Sequence, residues 1–273
     1  MAHLSDLQVR PSPRNAYHNA AVLSHRGFSL LELLCTIGVL GVLIALTVPA
    51  LRGARGEAYR TVSLSNLRSI GVVIETYADR SKGQYPIAQD GVAYPTSCPG
   101  VTMAFLRWET VNNWPGVVHE ILPWDQGKSV YLSPRARRGA ESIGEFTQVV
   151  CGWPTSYQLS QSFLARPELW TPEATNTPSA LHKAWFQPVF QRDVLFPSRK
   201  VFVWDWEMPF LSRPVKRSNG ELDEPAPTLF ADSHVAEKTQ TKGTRPIVTT
   251  FASTKYQVQR WHNTIDGVRG FDE

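Results

Sequence analysis

Residues 26–51 read RGFSLLELLCTIGVLGVLIALTVPAL. Arg26 and Gly27 open the stretch, and a single acid, Glu32, interrupts an otherwise apolar run whose residues 33–46 carry no charge. As a helix rising about 1.5 Å per residue, residues 28–51 cover roughly 36 Å, enough to cross a hydrocarbon core of about 30 Å. A secretory signal peptide ends its apolar region in a small-residue cleavage site, whereas Gly27 lies before this one. A core helix of a soluble protein is ordinarily shorter and less uniformly apolar. The stretch is therefore expected to span a membrane and to offer a surface to other helices.

Glu32 is the residue that plain anchoring leaves unexplained. A carboxylate at the centre of a membrane helix costs roughly 2.5–3.5 kcal/mol on insertion scales, and intramembrane acids tend to find partners. Near the end of the span an acid can instead reach the interface. Two readings stay open: an interfacial acid, or a carboxylate that pairs with a positive group on a neighbouring chain, such as a free N-terminal amine.

Arg26, Gly27, Phe28, Ser29, Leu30, Leu31 and Glu32 resemble the processing site of type IV pilins and of the pseudopilins of type II secretion systems. The resemblance implies that a membrane-embedded prepilin peptidase cuts after Gly27 and methylates the new N-terminal Phe28, with Glu32 as the family's acid. Pro49 falls where these proteins carry a helix-kinking proline. The resemblance also implies assembly with other pilin or pseudopilin subunits on an inner-membrane platform. Such a cut leaves the Phe28 amine close to Glu32 in a medium of low dielectric, where opposite charges attract strongly. Pairing of Glu32 with a neighbour's amine would set the stagger between subunits. Gly38 and Gly41 open the helix surface to close approach, although not at GxxxG spacing. Pro49 removes one helical hydrogen bond and would kink or loosen the helix.

With 273 residues, 42% hydrophobic and 19% charged, the chain has room for one modest head after one membrane helix. Residues 1–25 hold Pro11, Pro13, Asn15 and Asn19 without apolar periodicity, so 1–27 reads as a disposable leader. Its loss removes Arg10, Arg14 and Arg26 against Asp6 and lowers the net charge from +4 to +2, too little to indicate a nucleic-acid partner. Arginines lie on both sides of the span (Arg10, Arg14 and Arg26 before it; Arg52, Arg55, Arg60 and Arg68 after it), so charge does not fix the orientation. The expectation of an inner-membrane, single-pass protein with an extracytoplasmic, periplasmic head rests on the cleavage motif.

Beyond Pro49 the pattern becomes amphipathic. Leu51, Ala54, Ala58, Val62, Ile70, Ile74 and Tyr77 recur at helical steps, bridged by Asn66 or Leu67, and predict the face on which the head packs. Gly83 and Pro86 provide the stop. The expected division is leader 1–27, transmembrane helix 28–51, amphipathic continuation 52–80 and β-rich head 81–273. The fold class is α+β, a long N-terminal helix packed on a small antiparallel sheet, as the pilin resemblance also implies.

After Tyr85 prolines and glycines punctuate short apolar segments. Strands are predicted at 199–206 (RKVFVWDW) and at 228–231, the latter turning through Asp232 and Ser233 into 234–237. Weaker strand signals lie at 148–151 and 247–251, and helical ones at 117–122 and 179–186. Many pilin-like proteins carry a Phe-Ala-Asp-Gly strand end at such a hairpin, with a histidine ten residues before the aspartate. Here Phe230, Ala231 and Asp232 are followed by Ser233, and Leu222 stands at the histidine's place.

Cys35 lies in the span, while Cys98 and Cys151 fall in the head, where a disulfide can form. Two cysteines fix no geometry, so a Cys98–Cys151 bridge and two free thiols both stay open. His119 with Glu120, Asp205 with Glu207, and Asp232 with His234 are the clusters an enzyme would use. Asp205 and Glu207 share one side of a strand and could bind a cation, but alternate acids are what a solvated face carries, and that reading is favoured. GxSxG, HExxH and a phosphate loop do not occur. The nine tryptophans suit a compact core better than glycan platforms, and Arg135, Arg137 and Arg138 read as a short basic loop. The chain thus reads as a structural, non-enzymatic subunit without cofactor or metal. The alternative is a membrane-anchored extracytoplasmic glycan-binding or hydrolytic domain.

Overall fold

The computed structural model describes residues 28–136, 151–152, 155–176, 186–211, 213–248 and 258–273. The leader, Gly27, and most of the segments 148–151 and 179–186 lie outside them. The chain divides into two compact units between Ala50 and Leu51.

Helix α1 (Leu30–Arg80) is helical without interruption, through Pro49 as well. Its start is written locally: Ser29 accepts the first intrahelical bond from Leu33 N–H at 3.1 Å and so is the N-cap. Its end is set by Lys82 and Gly83, both at positive φ, with Gly83 N–H on the Ala78 carbonyl at 2.7 Å. This left-handed exit satisfies carbonyls that the last turn would otherwise leave open.

In the second unit the buried face of α1 is Ser63, Leu67, Ile70, Gly71, Val73, Ile74 and Ala78. This corrects the predicted stripe in its first part: Leu51 (52%) and Val62 (47%) are exposed, as are Ala54 and Ala58. The predicted stripe extended the apolar run past Pro49, but the buried residues of the helix begin at Ser63, just after Arg60 pairs with Glu237 at 3.2 Å. There small residues, not large ones, allow close approach. A Cβ on Gly71 would sit 3.3 Å from Leu229 Cδ1 and 3.6 Å from Ser233 Oγ.

The main sheet is antiparallel in the order β3 (Tyr157–Leu159), β4 (Val201–Asp205), β7 (Ala226–Phe230), β8 (Val235–Lys238). Two-stranded ribbons pair β1 (Ala93–Pro95) with β2 (Thr102–Ala104), and β5 (Arg217–Ser218) with β6 (Glu221–Leu222). Every residue of β4 and β7 is buried, because both faces of the sheet are covered. One apolar cluster joins Leu67, Ile70, Val73 and Ile74 of α1 to Val203 and Leu229. Their chain neighbours Trp204 and Phe230, on the other face, pack with Met208, Phe210, Leu222 and Trp261.

The strand expected at 199–206 forms as β4, and the hairpin expected around Asp232 and Ser233 forms as β7–β8. Ser233 adopts φ +66°, a left-handed conformation that glycine would take without strain. Its hydroxyl donates to Glu75 Oε1 of α1 at 3.1 Å, which fixes the turn against the helix. The helical signal at 117–122 is displaced: α2 is Thr110–Val117 and α3 is Trp124–Tyr131, with turns between. Pro115 and Gly116 sit inside α2, which buried Trp114 anchors, its indole N–H donating to the Tyr157 carbonyl at 2.9 Å. Ile247 and Val248 are outside strands. Cys98, between β1 and β2, is bonded to Cys151 with Cα atoms 5.3 Å apart.

Candidate functional site

The residues singled out at the N-terminus converge on the first turn of α1. Ser29 N–H donates to Glu32 Oε2 at 2.9 Å, and Glu32 N–H donates to Ser29 Oγ at 3.2 Å. This reciprocal capping box satisfies two of the donors that open any helix. The carboxylate of Glu32 is thereby turned back toward the start of the helix, next to Phe28. The S-x-x-E spacing of Ser29 and Glu32 is the sequence signal for this box.

Phe28 is 75% exposed, and residues 28–51 present their side chains outward all round. Leu30–Arg80 includes an apolar window long and apolar enough to cross a membrane, with mean hydropathy 2.4 and no residue of that window buried. Nothing lies within 4 Å of a Cβ built on Gly38 or Gly41, so both glycines leave open backbone on this surface. Pro49 deprives the Ala45 carbonyl of its helical partner while the helix continues.

In the second unit, the paired acids of β4 are placed otherwise than the sequence suggested. Asp205 is fully buried, not on a solvated face. Alternation marks an outward face only when one side of a sheet is wet, and here both are covered. Asp205 Oδ2 accepts Ser63 Oγ–H at 2.7 Å and Ser133 Oγ–H at 2.6 Å. Its Oδ1 accepts the backbone N–H groups of Met208 at 2.9 Å and Glu207 at 3.2 Å. Since the Ser63 proton goes to Asp205, Tyr157 donates to Ser63 Oγ at 3.2 Å, and Asn66 Nδ2 donates to the Tyr157 hydroxyl at 3.2 Å. Burial raises the Asp205 carboxyl to about 6, against the four donors, which pull it down. This polar joint ties α1 to the sheet. Glu207 turns away from it and accepts from Ser156 Oγ at 2.9 Å.

The other clusters do not gather. His119 Nδ1 meets the Gly116 carbonyl at 2.7 Å, and Asp232 and His234 form an exposed pair at 2.5 Å. Among the described residues no group of three or more His, Cys, Asp or Glu side chains could hold a metal ion. Trp114, Trp170, Trp204 and Trp261 fill the core, and Arg217 covers Trp206 at 3.7 Å. Arg135 lies over Tyr59 at 5.9 Å, while Arg137 and Arg138 fall outside the described residues.

Comparison with known proteins places the recognisable signal in the same stretch. Residues 23–48 match the family described as the prokaryotic N-terminal methylation motif. Over 75 residues the chain is 37% identical to the type II secretion system core protein G of Klebsiella pneumoniae, covering 27% of this chain and 52% of that one. Its counterpart from Pectobacterium carotovorum subsp. carotovorum is 34% identical over 76 residues, covering 28% and 48% respectively. The chain thus spans about half the length of the curated relatives it matches. No solved structure matches.

Proposed function

We propose that this chain is a pseudopilin-like structural subunit, cleaved after Gly27 by a prepilin peptidase and methylated on Phe28. It then assembles through α1 with other pilin or pseudopilin subunits, on an inner-membrane platform, into a type II secretion pseudopilus or a type IV pilus-like filament. The observation that carries this reading is the methylation motif at 23–48, set on an apolar helix whose membrane-length window has no buried residue among the described residues. The likeness to core protein G from two enterobacterial sources supports the type II secretion alternative.

The geometry supplies a mechanism. The capping box holds the Glu32 carboxylate at the helix start, so a second acceptor position of the same group can meet the ammonium of a neighbour's Phe28. In lipid such a pair is strong, because no water competes for either charge. Register between subunits follows from the distance between amine and acid. Residues 28–51 then serve as anchor and assembly surface together, while residues 52–80 carry the head, which faces the periplasm.

Mass analysis of the chain extracted from membranes tests the processing step. A start at Phe28 carrying one added methyl group is expected. An intact Met1, or a start elsewhere, removes the reading.

A further inference from the structure

Lys200, at the start of β4, and Asp272 form a buried pair that the assembly reading does not use. Their side chains are 0% and 2% exposed, and Lys200 Nζ lies 3.1 Å from Asp272 Oδ2. The Phe163 ring centroid is 5.9 Å from Nζ. His262, also buried, is held neutral by burial, its value pushed down to about 3, and its Nδ1 accepts the Gln161 N–H. Burial likewise lowers the proton affinity of Lys200, against the pull of Asp272. A buried ion pair of this kind recovers only part of the cost of desolvating both charges.

The two carboxylate oxygens of Asp272 are treated differently. Oδ2 accepts the backbone N–H of Val201 at 2.9 Å. Oδ1 accepts the hydroxyl of Thr264 at 2.5 Å, and that same hydroxyl oxygen accepts from Lys200 Nζ at 2.5 Å. One oxygen thus has a fixed amide donor, as an oxyanion requires. The other is joined to the amine through a hydroxyl that can pass protons. The backbone of Asp272 is pinned on both sides, its N–H on the Arg199 carbonyl at 3.0 Å and its carbonyl on Thr244 N–H at 2.8 Å. Amine and carboxyl are therefore held together in a dry, preorganised site, the condition under which intramolecular reactions reach high effective molarity.

We infer that Lys200 and Asp272 condense into an intramolecular isopeptide bond. Nζ attacks Cγ of Asp272 and the N–C bond forms while negative charge gathers on Oδ2 against Val201 N–H. Two of the three ammonium protons pass to Oδ1 by way of Thr264 Oγ, the third remains on the new amide nitrogen, and the Cγ–Oδ1 bond breaks to release water. No oxidant, reductant or activating group is consumed. The product replaces two buried charges with a neutral amide and fastens the segment 258–273 covalently to β4.

Peptide mapping of the full chain, denatured and reduced, tests this. The expected result is a branched peptide joining the Lys200 and Asp272 segments, lighter by one water than the sum of its parts, with no tryptic cleavage after Lys200. Thr264→Val removes the proton path while leaving amine and acid in place, and is expected to abolish most of the branched product. Asp272→Ala abolishes all of it. Separate, unlinked Lys200 and Asp272 peptides from the folded wild-type chain would overturn the proposal and leave the pair a salt bridge only. Should either variant fail to fold, the wild-type map alone decides. A branched product undiminished in Thr264→Val would overturn the relay.

Discussion

Ser63 of α1 donates its hydroxyl proton to Asp205 of β4 across 2.7 Å, inside the protein, where both residues are fully buried. A helix that must hold a head in place thus does so through a charge as well as through apolar contact. The carboxyl is raised to about 6, above its ordinary value of 3.8. The folded state therefore binds this proton more readily than the unfolded state does. The stability it contributes is full below the unfolded value and is lost as pH rises through about 6. On this group's account the head is more stable at about pH 4 than at about pH 7, by on the order of 2 kcal/mol. Asp205→Asn keeps an oxygen for the Glu207 and Met208 N–H groups and offers its amide to the two serine hydroxyls. Denaturant melts across that pH range are expected to show a flatter profile for Asp205→Asn than for the wild type. An unchanged slope would assign the pH dependence to other groups.

Gly71 is where α1 comes closest to the sheet. An added Cβ would meet Leu229 Cδ1 at 3.3 Å, and a branched side chain would drive into both Leu229 and Ser233. Overpacking of this kind costs about 1–3 kcal/mol. Gly71→Val is therefore expected to lower the denaturant midpoint by a corresponding amount. Val72→Ala, one residue away on the exposed side, is expected to change it little.

The Cys98–Cys151 bridge closes a loop with a sequence separation of 53. Chain-entropy arguments assign such a loop about 4 kcal/mol, with measured effects more often about 2–4. Reduction, or Cys98→Ser with Cys151→Ser, is expected to lower the midpoint of head unfolding by a comparable amount. Thiol labelling of the denatured, unreduced chain is expected to modify Cys35 alone, and all three cysteines after reduction.

How far the sequence foretold this structure depended on whether a signal needed a partner to be read. The apolar run at 28–51 did not, since length and the lack of charge suffice. Nor did β4 or the β7–β8 hairpin, where β-branched and aromatic residues lie between prolines and turn residues. The surroundings of Asp205 depend on what packs over its face of the sheet, and Ser63 of α1 and Ser133 come from distant sequence. The burial of Ser63 was illegible for the same reason: a serine on a helix shows nothing of an acid 142 residues later. Pro115 and Gly116 stay inside α2 because tertiary anchoring by Trp114 outweighs local helix preference.

Glu32 separates two roles that the structure joins in one side chain, capping and charge. Glu32→Gln keeps an oxygen for Ser29 N–H and a backbone N–H for Ser29 Oγ, so the box survives without the charge. Glu32→Ala loses the side-chain half of the box as well, at a cost of about 1 kcal/mol to the helix start. If subunits assemble by pairing this carboxylate with a neighbour's amine, both variants are expected to insert and be processed yet to fall well short of wild type in filament yield. Cross-linking within the membrane and sheared-filament yield would measure it. Full assembly by Glu32→Gln with failure by Glu32→Ala would reduce the residue to a helix cap. Ser29→Ala, which keeps the charge and removes half the box, should then fail as well. On the charge-pairing reading it is expected to assemble nearly as the wild type does, so the three variants together distinguish pairing from capping.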